Sequence, residues 1–443
     1  MKKRRQNRFR TAPPVSLEIE KLVYGGAGLA RSGGITYFVP FVLPGEAILA
    51  RIVEKKKTFV RAEIAELQRP APGRTAAPCP HFTVCGGCQY QHIRYEDQIE
   101  AKREILRENL ARLGGIQWDG PITLHASPPF GYRNRAQWKL RSLENVRNDK
   151  IISGPGQAIG YFRAGSNDLC AVEQCALLAP PLASALDSLR KELALGTLPT
   201  TIRQIEAFAE PGGSLLLNVS FPTLPSSPSQ VCQQFRKLLP AASSVLLLET
   251  AGEQMELEGQ GYLNYPVGAV RYRVGHMSFF QVNRFLLEEM AQTVTNRASG
   301  RLALDLYAGV GLFSVALGKG FERVVAVEAD PAASRDLEEN IRAAHISGQA
   351  INSDVATFLA NCKEQPELVI LDPPRAGVET EILRSIATLK PQQIIYMSCD
   401  PATLARDLKV MHEAGYRIDT LDLFDVFPQT FHIETMVRLT PEP

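Results

Sequence analysis

The chain has no run approaching the ~20 apolar residues that cross a bilayer, so a membrane-spanning protein is not expected. The N-terminus, Met1 to Arg10, is basic with no apolar segment behind it. A secretory signal is therefore not expected, and a cytoplasmic location is. Cysteine is sparse: eight among 443 residues are too few for a disulfide scaffold, so reduced thiols are expected. There is no internal repeat and nothing like a long coiled coil. A monomer is expected, and no protein partner is implied. What remains is the make-up of a folded protein, 45% hydrophobic and 22% charged, which excludes wholesale disorder. The length suggests two or three domains.

The net charge of +2 hides an asymmetry. Residues 1–150 hold 26 Lys and Arg against 14 Asp and Glu; residues 151–443 hold 23 against 33. A basic front on an acidic back suggests a part that grips a polyanion, joined to something else. Residues 1–14 read as a disordered basic arm. From Val15 to about residue 68, short strands broken by glycine and proline fit a small β-barrel. Residues 69–78 read as a linker. Apolar residues at helical spacing predict a helix over 94–113, stopped by Gly114-Gly115. Residues 121–265 read as strands and loops with one helix near 180–195. From about 276 strand and helix alternate, the pattern of an α/β sheet.

Chemistry concentrates in that last part. In Asp305-Leu-Tyr-Ala-Gly-Val-Gly311 an apolar strand runs into a tight glycine turn, Gly309 and Gly311, and a helix follows. Glycines let the backbone turn and let a ligand approach it closely. A second strand ends in Glu328, placed to accept hydrogen bonds from ribose hydroxyls. A third strand delivers Asp372 into Asp372-Pro-Pro-Arg375 at the carboxyl edge of the sheet. A fourth ends just before Cys399, with a helix starting within about three residues. A thiol there is expected to have a lowered pKa and to act as a nucleophile. Glu434 opens the last strand, as a solvated edge carboxylate or as a base facing the same cleft. Asp305-x-x-x-Gly-x-Gly311 resembles the turn common in S-adenosylmethionine methyltransferases, and a low-pKa thiol, such a methyl-donor site and a carboxylate together can methylate C5 of a pyrimidine. The thiolate adds at C6, C5 attacks the methyl group, and the base removes the C5 proton so that the thiol can leave.

Two further patterns lie upstream. Cys79, Cys85 and Cys88 are close enough to hold zinc or an iron–sulfur cluster; a fourth ligand is needed, and spacing does not choose between Cys170 and Cys175. In the strand Tyr132–Arg141 period two puts Arg133, Arg135, Lys139 and Arg141 on one face, a row suited to phosphates.

Asp305 to Phe313, Asp372-Pro-Pro-Arg-Ala-Gly377, Ser398-Cys-Asp-Pro-Ala-Thr-Leu-Ala-Arg-Asp407, His432-Ile-Glu-Thr-Met436 and Ser278-Phe-Phe-Gln-Val-Asn283 resemble, in order and spacing, the RNA uracil-5-methyltransferase family. The resemblance implies a Rossmann-like S-adenosylmethionine (SAM)-dependent domain over 271–443. It implies Cys399 as nucleophile and Glu434 as base. It implies SAM contacts at Gln281, Tyr307, Glu328, Asp354 and Asp372 around Gly309 and Gly311, and Phe279 stacked on the target base. Residues 15–68 resemble a TRAM domain, an OB-like RNA-binding barrel. Residues 79–270 resemble the family's central β-rich domain, in which Cys79, Cys85, Cys88 and Cys175 hold a [4Fe–4S] cluster, with zinc as the rival. Asp400 stands where the family usually has Asn, and Leu312 where a polar residue is frequent. The expected substrate is 23S ribosomal RNA. A transfer-RNA enzyme, or a non-catalytic RNA-binding protein with a relict SAM site, are the alternatives.

Overall fold

The structure is a computed structural model that describes residues 13–143, 156–250 and 254–442. The expected basic arm falls outside these residues up to residue 12. The described chain forms two compact units: one runs through Glu108 and takes in Phe427–His432, and the other is built from Asn109–Val426 and residues from Ile433 onward.

In the first unit, strands β1 (Val15–Glu18), β2 (Lys21–Leu22), β3 (Ala27–Ser32), β4 (Ile35–Pro40), β5 (Ala47–Lys55) and β6 (Val60–Arg69) form one sheet in the order β1-β5-β6-β4-β3-β2. Alternation sends Leu17, Ala30, Tyr37, Val39, Ile48, Ala50, Val60 and Ala62 into a single buried cluster. Residues 69–78 are not a loose linker. Glu46 is fully buried and takes two bonds from Arg74, at 2.5 and 2.8 Å, plus backbone bonds from Leu43 and Ala71. A buried carboxylate needs such donors, and meeting that need ties the proline-rich stretch to the sheet. Helix α1 (Tyr95–Asn109) stops short of the expected 113. One wide turn, Leu110–Gly114, follows, and Gly115 at φ 68° closes it with a bond to the Leu110 carbonyl.

The second unit opens with β7 (Ile122–His125). Then come β8 (Arg135–Ser142), β9 (Gln157–Phe162), β10 (Leu169–Ala171), α2 (Pro180–Leu195), β11 (Gln204–Ala209), β12 (Leu215–Phe221), α3 (Pro228–Leu238), β13 (Ala242–Glu249) and β14 (Met255–Gly259). Their strands make a seven-stranded sheet, β10-β9-β8-β11-β12-β13-β14. Helix α3 was not expected. It buries Val231, Cys232 and Phe235, too few apolar positions to show a helical period within a Gln-rich stretch. A hairpin, β15 (Tyr262–Val267) and β16 (Val270–Gly275), leads on to α4 (Leu287–Thr295).

The alternating region then follows: β17 (Gly300–Leu306), α5 (Leu312–Leu317), β18 (Phe321–Glu328), α6 (Pro331–Ala343), β19 (Gly348–Asn352), α7 (Val355–Asn361), β20 (Leu368–Leu371), α8 (Thr380–Thr388), β21 (Gln393–Ser398), α9 (Pro401–Glu413), β22 (Tyr416–Phe424) and β23 (Glu434–Pro441). The sheet order is β19-β18-β17-β20-β21-β23-β22-β7. Strands β17 to β21 pair in parallel, and β23 pairs antiparallel to both β21 and β22. Every residue of β20 is buried, as helices on both faces of a parallel sheet require. The order reverses between β17 and β20, the place where open α/β sheets bind ligands.

Candidate active site

Every residue expected to do chemistry lies at one edge of the eight-stranded sheet. Just past β17, Tyr307 sits at φ 63°, a left-handed backbone that costs a non-glycine residue about 1 kcal/mol or more. Gly309 at φ 55° and Gly311 at φ 89° continue the turn into α5. A Cβ at Gly309 would meet nothing within 4 Å, so the turn faces open space. Glu328, at the tip of β18, holds this turn in shape: one carboxylate oxygen accepts from the Gly309 amide and the other from the Asp330 amide, both at 2.8 Å. Asp354 is exposed and caps α7 through the Thr357 amide.

The edge is rich in carboxylates poor in donors. Asp305 is fully buried and accepts from the Ser314 hydroxyl; its other oxygen has no partner among the described residues. Burial pushes its carboxyl up to about 7 against that one bond, with the charges of Asp372 and Glu328 adding. Asp372 takes a 3.3 Å bond from the Gln281 side chain, yet burial lifts it to about 6. Carboxylates such as Asp305 and Asp372, held up by burial, favour a nearby cation.

Ser398 pairs with Thr435 across β21 and β23. Cys399 and Glu434 are the next residues outward from this last pair, and they are close enough for the charge of Glu434 to act on the thiol. Glu434 is 4% exposed. Burial, then the charge of Asp372, carries its carboxyl well above the ordinary range, with Arg375 opposing. The Cys399 thiol departs from expectation. It is not lowered but pushed up to about 11, first by burial and then by Glu434, with Arg375 pulling the other way. The helix end that should have activated it is already occupied: Asp400 accepts from the Ala402 and Thr403 amides, so its carboxylate meets the positive end of α9. Leu312, the other departure, is a buried core residue whose carbonyl accepts from the Tyr272 hydroxyl.

The family described as tRNA (uracil-5-)-methyltransferase matches residues 260–442. The 23S rRNA (uracil(1939)-C(5))-methyltransferase of Pseudomonas putida is 33% identical, over 95% of this chain and 92% of that protein. An uncharacterized RNA methyltransferase of Aquifex aeolicus is 32% identical, over 96% and 98%. This chain belongs to the RNA uracil-5-methyltransferase family. The fold agrees: a Pyrococcus abyssi tRNA (uracil-54, C5)-methyltransferase, solved with S-adenosyl-L-homocysteine, superposes with a TM-score of 0.73 and 24% identity, covering 96% of this chain and all of that one.

For a uracil-5-methyltransferase the remaining expected residues are unequally placed. Phe279 is 61% exposed on an anchored loop. Asp336 on α6 accepts from the Arg273 side chain, the Gly275 amide and the Ser278 hydroxyl. β8 alternates as expected, with Ala136, Trp138 and Leu140 buried. Arg135, however, does not present an open charge. Its guanidinium lies 4.4 Å above the Phe208 ring and 3.4 Å from Glu206. Arg133 precedes the strand, with its Nε buried, while Lys139 and Arg141 each approach the Phe162 ring at 5.6 Å. Cys79, Cys85 and Cys88 are half-buried thiols of the first unit, and Cys175 is a half-buried thiol of the second. Among the described residues, no group of three or more His, Cys, Asp or Glu side chains is arranged to hold a metal ion, and no helix is long and apolar enough to cross a membrane.

Three supports escaped sequence reading. Asp336 and Asn340 brace the Phe279 loop and the glycine turn; Asn340 bonds both the Arg273 backbone and the Val310 carbonyl. Asn283, fully buried, bonds the Ser127 hydroxyl and the Val426 carbonyl. A helical Asp or Asn looks like any surface residue in sequence. Arg375 was readable, since it follows Asp-Pro-Pro directly.

Proposed function

We propose that this protein uses SAM to form 5-methyluridine in structured RNA, with 23S ribosomal RNA as the substrate. The convergence of Cys399 and Glu434 at the end of the β21–β23 pairing, with the charge of Glu434 reaching the thiol, carries this reading. The relatives named as 23S rRNA enzymes, at about a third identity over nearly the whole chain, support the choice of RNA. The donor-poor carboxylates around the turn fit a cationic methyl donor. Bound there, with Glu328 and Asp372 as polar anchors and Gln281, Tyr307 and Asp354 around them, SAM supplies an electrophilic methyl group.

The protein's own residues do the rest. With no substrate present, burial keeps Cys399 a neutral thiol and raises the proton affinity of the Glu434 carboxylate. On engaging uracil, Cys399 gives up its proton to water and its sulfur bonds to C6 as the C5–C6 double bond opens, which turns C5 into an enolate carbon. After C5 is methylated, Glu434 takes the C5 proton, and the C6–S bond breaks to return the thiolate. A carboxyl with a raised pKa is a better base for that step. Reaching a half-buried thiol requires the uridine to leave its stack, and Phe279 is exposed to receive a base.

The division of labour is an RNA grip at 15–68 and a catalytic part at 271–443 whose sheet also takes in β7 from the stretch expected as a separate central part at 79–270, in a monomeric cytoplasmic enzyme. Cys79, Cys85 and Cys88 are thiolate donors by chemistry, but no three such side chains are arranged to hold a metal ion among the described residues, and methyl transfer needs no electron.

Incubation with 5-fluorouridine-substituted RNA and SAM tests the reading. Fluorine blocks the final deprotonation, so a covalent protein–RNA adduct is expected with the wild type and not with Cys399→Ala. Absence of an adduct on both 23S rRNA and tRNA overturns the proposal. An adduct on tRNA alone keeps the chemistry and corrects the substrate.

A further inference from the structure

The Ser398–Asp407 motif ends in Arg406-Asp407, which the reaction above leaves without a task. Asp407 lies two turns into α9 and is 1% exposed. One of its oxygens accepts from the Val378 amide at 2.8 Å and from the Tyr396 hydroxyl at 2.6 Å. The other accepts from Arg406 Nε at 2.7 Å. Arg406 in turn donates to the Ala376 carbonyl at 3.0 Å. Between the two lies Gly377 at φ 75°, where a Cβ would stand 2.5 Å from the Asp407 carboxylate and 2.6 Å from the Arg406 guanidinium. The backbone of the loop is thus pressed onto this pair with no room for a side chain.

That loop is the one leaving β20 with Asp372 and Arg375. The helix that holds it begins two residues after Cys399, and Tyr396, the third partner, stands three residues before Cys399 on β21. Asp407 therefore joins the segment bearing Asp372 and Arg375 to the two elements that flank the nucleophile.

We propose that Asp407 is a positioning residue for methyl transfer: with Arg406 it fixes the 372–378 loop, so that Arg375 and Asp372 keep their place relative to Cys399 and Glu434. This rests on the function proposed above. The Arg375 cation opposes the rise of both Cys399 and Glu434, so letting the loop drift should impair thiolate formation more than RNA binding. Misplacement of about 1 Å can cost on the order of 10²-fold in rate.

The test compares wild type, Asp407→Asn and Gly377→Ala. Asn keeps the volume but cannot accept all three bonds, and the Ala methyl pushes the loop off the same pair from the other side. Both variants are expected to lose about 10²-fold in kcat with the RNA KM changed by less than about threefold. Both should move the pH profile of adduct formation on 5-fluorouridine RNA to higher pH. If Asp407→Asn does not fold, Gly377→Ala carries the test. Wild-type kcat and pH profile in a folded variant overturn the inference. So does a loss that only follows the folded fraction with the profile unmoved, because that marks a purely structural role. A wild type that forms no adduct overturns the function reading itself, which separates the two failures.

Discussion

Glu46 in the first unit and Glu434 in the second are both buried glutamates, 0% and 4% exposed, and their surroundings are opposite. Glu46 receives two bonds from Arg74 and two from backbone amides. Burial would raise its carboxyl, but Arg74 and those amides hold it below the ordinary range. No hydrogen bond to the Glu434 carboxyl is present among the described residues, its nearest charged company includes another acid, and its carboxyl is driven up. A buried carboxylate with its donors filled ties loops to a sheet. One kept short of donors has its proton affinity raised, which is where acid–base chemistry is found.

The contrast breaks first at the nucleophile. Cys399→Ala should abolish adduct formation and cut 5-methyluridine production by on the order of 10⁴-fold or more, read by nucleoside mass spectrometry. Glu434→Gln should lose about 10²–10⁴-fold in product while still forming the adduct, which then accumulates because C5 keeps its proton. Glu46→Ala should do the reverse. It leaves Arg74 unpaired and costs about 3–5 kcal/mol of stability in a denaturant titration, with turnover per folded molecule unchanged.

The legible and illegible parts of the sequence divide along the same line. Strand ends bearing glycine, Asp-Pro-Pro or cysteine could be read, because tight turns and carboxyl-edge acids need particular residues at particular spacings. The apolar runs of β17, β20 and β21 announced a buried parallel sheet. Partners brought together only by folding could not be read. Nothing near Glu46 in sequence points to Arg74, nothing near Ser278 points to Asp336, and β8 showed Arg135 as an open cation when Phe208 and Glu206 cover it. The thiol's direction was misread for the same reason: local sequence shows a helix start after Cys399, but not that Asp400 fills it, nor that Glu434 arrives close by from a distant strand.

pH sharpens the comparison further. The folded-state carboxyl of Asp372 is raised from 3.8 to about 6, so between these values the folded protein keeps a proton that the unfolded chain releases. Stability therefore falls as pH climbs through that window and stays lower above it. Asp372→Asn should raise Tm at pH 8 and leave it unchanged near pH 3, by at most about 3 kcal/mol at ~1.4 kcal/mol per unit. Glu46 has the opposite slope: its folded pKa is depressed, so its contribution is present at neutral pH and is lost as acid protonates it. Glu46→Gln should therefore be most damaging at pH 7 and least at the acid end. The smallest effect belongs to Asp400→Asn. Asn caps a helix nearly as well as Asp, so stability should change by a few tenths of a kcal/mol and turnover by less than about threefold.

Burial and Glu434, not a helix end, set the state of the nucleophile. This is tested most directly by the pH dependence of Cys399 alkylation in the ligand-free protein, followed by peptide mass spectrometry, with and without Glu434→Gln. The account predicts a midpoint near 11 that falls when Glu434 is neutralised by substitution. A midpoint below 9, or one indifferent to Glu434→Gln, would contradict it.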